Sequence, residues 1–290
     1  MSTAQLNRPV LRYHGGKWKL APWIISHFGA HDYYTEAFGG AASVLLRKPQ
    51  SVGEVYNDLN GDLANLFWVL RSPELAAQLQ AQLLLTPYSR EEFESSYEHH
   101  EDAVERARRI VVRSFMSFGS AGVNEDHNTG FHSCIKRGKA QRGPAHEWAG
   151  YPDCIPAITA RLRGVVLEQR PAAEVLTKHD SPTTLHYVDP PYPLGTRGNN
   201  NGVRRKYRYE LADADHRELA DVLRGLHGAV VLSGYACDLY DQELFPDWER
   251  VECTTHADGA RARTEVLWLN TRAVAAKCNG PLFGMEVPRA

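Results

Sequence analysis

The densest group of chemistry-capable residues in the chain is Asp189-Pro190-Pro191-Tyr192. It follows Thr184-Leu185-His186-Tyr187-Val188, a β-branched and aromatic run that reads as a strand. The tetrapeptide is thus expected at the C-terminal end of a strand, where ligands bind in open α/β sheets. Its residue types suit a planar amino group. The Asp189 carboxylate accepts one amino hydrogen, the carbonyl of Pro190, stiffened by Pro191, accepts another, and Tyr192 offers a ring for stacking. A proline-stiffened turn would use the same four residues.

A second constellation lies near the N-terminus. Tyr33 to Ala37 is strand-like and ends in Phe38-Gly39-Gly40, and Ala41 to Leu46 reads as the start of a helix. Such a turn brings backbone close to a ligand and points a helix N-terminus at it, as a nucleotide-like cofactor requires. A plain tight βα turn has the same composition, and the G-x-G-x-x-G spacing is absent. Ser51 to Tyr56 repeats the strand, followed by Asn57-Asp58-Leu59-Asn60 and by Leu63, Leu66, Phe67 and Leu70 at helical spacing. Asp58 stands where an acid accepts ribose hydroxyls in Rossmann-like sites, unless it or Asn60 is simply a helix cap. Gly15-Gly16-Lys17 has the tail of a phosphate loop, but Trp18 replaces the required Ser or Thr and no glycine stands five positions before Gly16. That argues against a nucleotide triphosphatase.

Two successive βα units indicate a parallel sheet. Pro73 to Phe118 then reads as helical throughout, most clearly over Glu74 to Leu85 and Ala103 to Phe115, and Ser117 to Gly150 has little periodicity. Strand signals resume at Val165 to Leu167 and at Thr184 to Val188. A helix follows over Asp213 to Leu226, with Asp213 as cap and Leu219, Val222, Leu223 and Leu226 as its apolar stripe. Strands at Ala229 to Ser233, Arg250 to Thr254 and Glu265 to Asn270 complete the set. The expected architecture is one α/β sheet, residues 1–71 and 151–290, split in sequence by a mainly helical insertion at 72–150.

The composition of the 290 residues, 43% hydrophobic and 23% charged, is that of a globular protein and excludes a disordered or collagenous chain. A net charge of -2 excludes a polybasic tail, so any basic surface must be local. No apolar run reaches the roughly 18 residues of a membrane span, and Met1 to Gly16 lacks the apolar core of a signal peptide, so a cytoplasmic location is expected. Cys134, Cys154, Cys237, Cys253 and Cys278 are scattered and never spaced C-x-x-C, as reduced thiols would be. His127, His132, Cys134 and Cys154 come nearest to a metal cluster, but their spacing matches no common zinc pattern and no metal is expected.

Taken in order, Arg12-Tyr13-His14-Gly15-Gly16-Lys17, Glu36-Ala37-Phe38-Gly39-Gly40-Ala41-Ala42-Ser43-Val44, Tyr56-Asn57-Asp58-Leu59-Asn60-Gly61-Asp62 and Asp189-Pro190-Pro191-Tyr192 resemble the motifs of Dam-type DNA adenine methyltransferases, especially the phage and prophage branch. The resemblance covers most of residues 8–70 and 155–270, including Leu232-Ser233-Gly234-Tyr235 and Thr264-Glu265-Val266-Leu267-Trp268, and is weak between 72 and 150. It implies a Rossmann-like S-adenosylmethionine-dependent catalytic domain at 1–71 and 151–290, with a target-recognition domain at 72–150. It further implies S-adenosylmethionine as cofactor, contacted by Tyr13, Lys17, Asp58 and Asp189 with the Phe38-Gly39-Gly40 turn beside its methionine end. Asp before Pro-Pro points in the related enzymes to adenine N6 rather than cytosine N4. Ala37 and Ala41 stand where the family usually has Pro and a third Gly. The Asn-Gly-Leu and Asn-Val-Pro segments of members that read GATC are missing, so that specificity is not implied.

The expected partner is double-stranded DNA, its target adenine flipped out of the stack. Between Arg106 and Arg142, Arg106, Arg108, Arg109, Arg113, Lys136, Arg137, Lys139 and Arg142 face only Glu125 and Asp126. Gly195 to Tyr209 holds Arg197, Arg204, Arg205, Lys206 and Arg208 with no acid, interleaved with Asn199-Asn200-Asn201-Gly202 and Tyr207. These residues are expected to track phosphates, with ordinary solvated surface as the alternative. Methylation of RNA or protein amides, or a catalytically silent DNA-binding regulator, are the rival functions. The sequence does not give the recognition site, the oligomeric state or a restriction endonuclease partner.

Overall fold

The computed structural model describes residues 6–119, 122–123, 129–133, 143–196, 209–256 and 262–278. Seven strands form one sheet: β1 (Tyr33–Glu36), β2 (Gly53–Asn57), β3 (Val165–Glu168), β4 (Thr184–Val188), β5 (Ala229–Tyr235), β6 (Glu249–His256) and β7 (Ala262–Leu269), in the order β3-β2-β1-β4-β5-β7-β6. β1 pairs in parallel with β2 and with β4, and β4 with β5, while β7 runs antiparallel to β5 and β6. This is the mixed α/β sheet expected of an S-adenosylmethionine-dependent methyltransferase fold.

By density of contacts the chain divides into two compact units, one of residues 1–19, 40–47 and 60–167 and the other of 20–39, 48–59 and 168–290. The compact body that holds residues 72–150 is therefore larger than that segment.

In the first unit, α2 (Gly61–Arg71) buries Leu63, Leu66, Phe67 and Leu70 completely. Its cap is Asn60, whose side chain accepts from the Asp62 N–H at 3.0 Å. α3 (Pro73–Leu85), α4 (Arg90–Ser95) and α5 (Ala103–Met116) follow, each capped by the residue before it: Ser72, Ser89 and Asp102. α6 (Pro144–Ala149) and α7 (Ile155–Arg161) complete this unit's helices among the described residues. The N-terminal arm is fastened to the same unit. Arg12 pairs with Glu147, its N–H donates to the Ser114 hydroxyl at 2.7 Å, and the Tyr151 hydroxyl donates to the Val10 carbonyl at 2.9 Å.

In the second unit, Ala37, Leu176, Val188, Leu219, Leu223, Val230, Leu232, Tyr240, Val266 and Trp268 form a buried cluster between sheet and helices. The helices are α1 (Ala21–Ile25), α8 (Ala172–Lys178), α9 (Asp213–Gly225) and α10 (Thr271–Cys278), with a π-helical turn at Leu239–Leu244. α9 begins at Asp213, the expected cap, so the cap position falls one residue earlier at Ala212, whose N–H donates to Asp215 at 2.7 Å. The two central strands are also stitched by a polar seam. The Thr35 hydroxyl bonds His186 Nδ1 at 2.7 Å, and His186 Nε2–H donates to Asp180 at 3.2 Å. Burial lowers the His186 pKa, so the imidazole is held neutral in the tautomer this seam requires.

Asn57, 1% exposed, closes the end of β2. Its amide donates to the Ala37 carbonyl at 2.8 Å and the Arg170 carbonyl at 3.0 Å, and its oxygen accepts from the Arg170 N–H at 2.9 Å. Truncation strands three backbone groups, each costing on the order of 1 kcal/mol when buried unpaired. Asn57→Ala is expected to lower the unfolding free energy by about 2–3 kcal/mol, read from urea denaturation at unchanged slope.

Candidate active site

The second unit carries the strand ends on which the sequence motifs converge. Glu36, at the end of β1, is 3% exposed and accepts from the Tyr34 hydroxyl at 2.8 Å. Burial, then the Glu36 charge, raises the Tyr34 pKa well above its ordinary value and keeps that phenol a donor. Beyond it the chain turns through half-buried Phe38 to Gly39, whose N–H donates to the Asn57 carbonyl at 2.8 Å. A Cβ at Gly39 would lie 2.2 Å from Cε2 of fully buried Tyr56, so no other residue fits there without moving that ring. Asp58, directly after β2, is half-buried. Of the two cap candidates, Asn60 supplies the side chain that caps α2.

Asp189-Pro190-Pro191-Tyr192 follows β4 directly, between the parallel neighbours β1 and β5. Asp189 is half-buried and Pro190 buried. Burial, then the Asp189 charge, raises the pKa values of Tyr187 and Tyr192 well above their ordinary value. Tyr192 departs from the expectation of an open stacking surface. It is 9% exposed, its hydroxyl donates to Glu265 of β7 and lies 3.3 Å from the Ser233 hydroxyl, and its ring meets that of half-buried Tyr235 edge to face at 4.6 Å. Sequence reading assigned no role to Glu265, Ser233 or Tyr235. The available signal was a glutamate at the head of Val266-Leu267-Trp268-Leu269, a run apolar enough to be wholly buried.

The first unit holds the remaining predicted positions. The Gly16 N–H donates to the Tyr13 carbonyl at 3.0 Å with Gly15 at φ +76°, a turn whose third position requires a left-handed residue. Lys17 is 6% exposed and its ammonium donates to the Gly15 carbonyl at 2.9 Å. The half-buried ring of Tyr13 lies against Gly40, where a Cβ would come within 3.0 Å of it. The helix expected at Ala41 to Leu46 is absent. Gly40 (φ +49°) and Ala42 (φ +51°) adopt left-handed backbone, which a right-handed helix cannot contain. Residues 43–47 instead form a turn in which Leu46 N–H donates to Ala42 at 3.0 Å, so no helix dipole faces a ligand there.

The basic residues of α5 are also corrected. Arg113 is 4% exposed, with its guanidinium 3.5 Å from Asp62 and 5.6 Å from the Tyr97 ring centroid, so its charge is turned inward rather than toward phosphates. Arg106 pairs with Asp62 at 3.0 Å, Arg108 with Glu105 and Glu92 at 2.6 Å, and Arg109 with Glu105 at 2.7 Å. Against the upward push of burial, these guanidinium partners hold the Glu105 pKa below its ordinary value. Lys136, Arg137, Lys139, Arg142, Arg197, Arg204, Arg205, Lys206 and Arg208 lie outside the described residues. His132 is buried, whereas His127 and Cys134 lie outside the described residues, and no group of three or more potential metal ligands occurs among the described residues.

The family model for D12 class N6 adenine-specific DNA methyltransferases matches residues 13–252. The chain belongs to this family. A comparison with curated proteins gives no match. The family's reaction makes the protein a DNA adenine methyltransferase, and DNA its substrate. No helix among the described residues is long and apolar enough to cross a membrane. The matched span of this D12 methyltransferase includes β1, β2, β4 and β5 with the motifs at their ends.

Gly39→Ala is expected to cost about 1–3 kcal/mol, the usual range for overpacking, because the Tyr56 ring must yield. Gly195→Ala, where a Cβ meets nothing within 4 Å, serves as the control. Thermal unfolding of the two variants beside the parent checks this: equal melting temperatures for both would refute the tight approach.

Proposed function

We propose that the protein transfers the methyl group of S-adenosylmethionine to N6 of an adenine flipped out of duplex DNA into the site formed by Asp189, Pro190, Pro191 and Tyr192. The observation that carries this reading is the placement of the tetrapeptide directly after β4, inside the D12 family match. The donor chemistry fits the cofactor. Asp58 offers a carboxylate to ribose hydroxyls, and the side-chain-free Gly39 lets backbone approach the methionine end beside Phe38. Tyr13, Lys17 and Gly40 enter through the sequence resemblance alone. When bound, S-adenosylmethionine supplies an electrophilic methyl group.

The chain's own residues orient the nucleophile. Asp189 accepts one N6 hydrogen and the Pro190 carbonyl the other, drawing the nitrogen toward tetrahedral geometry and aiming its lone pair. S-adenosylmethionine held beside Phe38, Gly39 and Asp58 would supply the methyl group and retain the S–C electron pair, and the proton lost from N6 would pass to solvent. Half-buried Tyr235, packed edge to face on the Tyr192 ring, presents aromatic surface that offsets part of the stacking lost on extrusion. Residues 72–150 are proposed to read the target sequence. The basic residues from Arg197 to Arg208 are proposed to hold phosphates, with Lys136, Arg137, Lys139 and Arg142 as further DNA-binding positions.

Asp189→Ala is expected to fold normally and to lose methyl transfer to duplex DNA by about 100-fold or more, the scale of misaligned reacting groups. Radiolabelled methyl incorporation at saturating cofactor measures it, and near-parental turnover would overturn the mechanism. Arg204 and Arg205 should act without sequence preference. Replacing both with Ala is expected to flatten the log-log salt dependence of DNA affinity by about one unit for each phosphate no longer neutralised while the methylated sites stay the same. A shifted methylation map would instead make that segment part of sequence reading.

A further inference from the structure

Glu265 is 4% exposed at the head of four completely buried residues, Val266 to Leu269. An ionisable side chain in such a strand is costly unless its oxygens are hydrogen-bonded. Its partners are the Tyr192 hydroxyl and the Ser233 hydroxyl, the latter donating at 3.0 Å. They come from two elements, the segment after β4 and strand β5. The antiparallel register of β5 and β7 sets Tyr235 opposite Glu265, and Tyr235 braces the Tyr192 ring at 4.6 Å and 73°. Tyr192 is thus held at its hydroxyl by β7 and along its ring by β5. Burial, then the neighbouring Asp189 and Glu265 charges, raise the Tyr192 pKa well above 10, so the phenol keeps the proton it donates.

We propose that Glu265 is a positioning residue for methyl transfer: with Ser233 it fastens the Tyr192 hydroxyl and thereby fixes the Asp189-Pro190-Pro191 segment in the geometry the target amine needs. The inference rests on the proposed role of that tetrapeptide. Asp189 follows a strand paired on both sides, and Tyr192 is the next anchored side chain, so the segment between them is restrained at both ends. Releasing the second anchor leaves every donor and acceptor present but lets the Pro190 carbonyl wander, and displacements of about 1 Å at reacting groups cost on the order of 100-fold.

The test is a double-mutant cycle on the full-length enzyme with a duplex DNA substrate, reading the single-turnover rate constant per folded molecule and the KM for S-adenosylmethionine. Tyr192→Phe deletes one oxygen and keeps the ring. It is expected to lower the rate about 10- to 100-fold with the cofactor KM unchanged. Glu265→Ala is expected to lose a similar factor, the double variant to lose no more than the worse single one, and Glu265→Gln, which retains an acceptor oxygen, to recover most of the rate. A merely structural role would move melting temperature and the folded fraction but not produce this coupling. Multiplying losses, or a parental rate in Tyr192→Phe, would overturn the proposal. The latter decides alone should Glu265→Ala not fold. Asp189→Ala run in parallel separates the two levels: its retained activity sinks the reading of the tetrapeptide itself, whereas its inactivity beside a fully active Tyr192→Phe sinks only the role of Glu265.

Discussion

The pairing of β1 with β4 is the constraint on which the second unit depends. It joins segments about 150 residues apart in the chain, through the register Glu36↔Tyr187 and the Thr35–His186 hydrogen bond. Because the pairing is parallel, the glycine turn after β1 and the tetrapeptide after β4 leave the sheet at the same edge. β2 and β5, parallel to them, add Asn57-Asp58 and Tyr235 to that edge. Slippage of β1 by one residue would turn buried Tyr34 and Glu36 to the opposite face. The neutral imidazole of His186, bonded on both nitrogens, opposes such a slip with directional bonds that apolar packing lacks.

The strands were legible because their residues are β-branched or aromatic and end in Gly, Pro or Asn. Thr184 to Val188 and Ala229 to Ser233 are examples, and both are almost completely buried. The apolar stripe of α2 was equally plain, since Leu63, Leu66, Phe67 and Leu70 keep strict helical spacing. The missing helix after Gly40 was not legible, because local composition favoured it and only the left-handed backbone at Gly40 and Ala42 forbids it. That conformation at a non-glycine residue is a tertiary outcome that propensity cannot anticipate. α1, α7, α8 and α10 are short helices of five to eight residues, too brief for a periodic signal to stand out.

The tetrapeptide was found by its residue types, but the supports around it were not. Sequence reading treated Tyr192 as a ring, whereas its hydroxyl ties it to two strands distant in the chain. The arginines of α5 show the complementary error. Counted along the chain they form a basic cluster, but helical geometry places Glu105 three and four residues before Arg108 and Arg109, and tertiary packing brings Glu92 to Arg108 and Asp62 to Arg106 and Arg113. Charge summed over a segment says nothing about charge left over after packing.

The layout of the two compact units along the chain bears on biosynthesis. The chain passes from one unit to the other five times, and the first is complete once residue 167 has been made. Among the described residues it is mainly helical. The second cannot close until β4, β5 and β7 leave the ribosome, so in the nascent protein β1 waits without β4, the strand that will lie beside it. Unpaired edges of that kind invite aggregation. The yield of folded enzyme should therefore be sensitive to the rate of translation across residues 168–269, the stretch that supplies the missing strands.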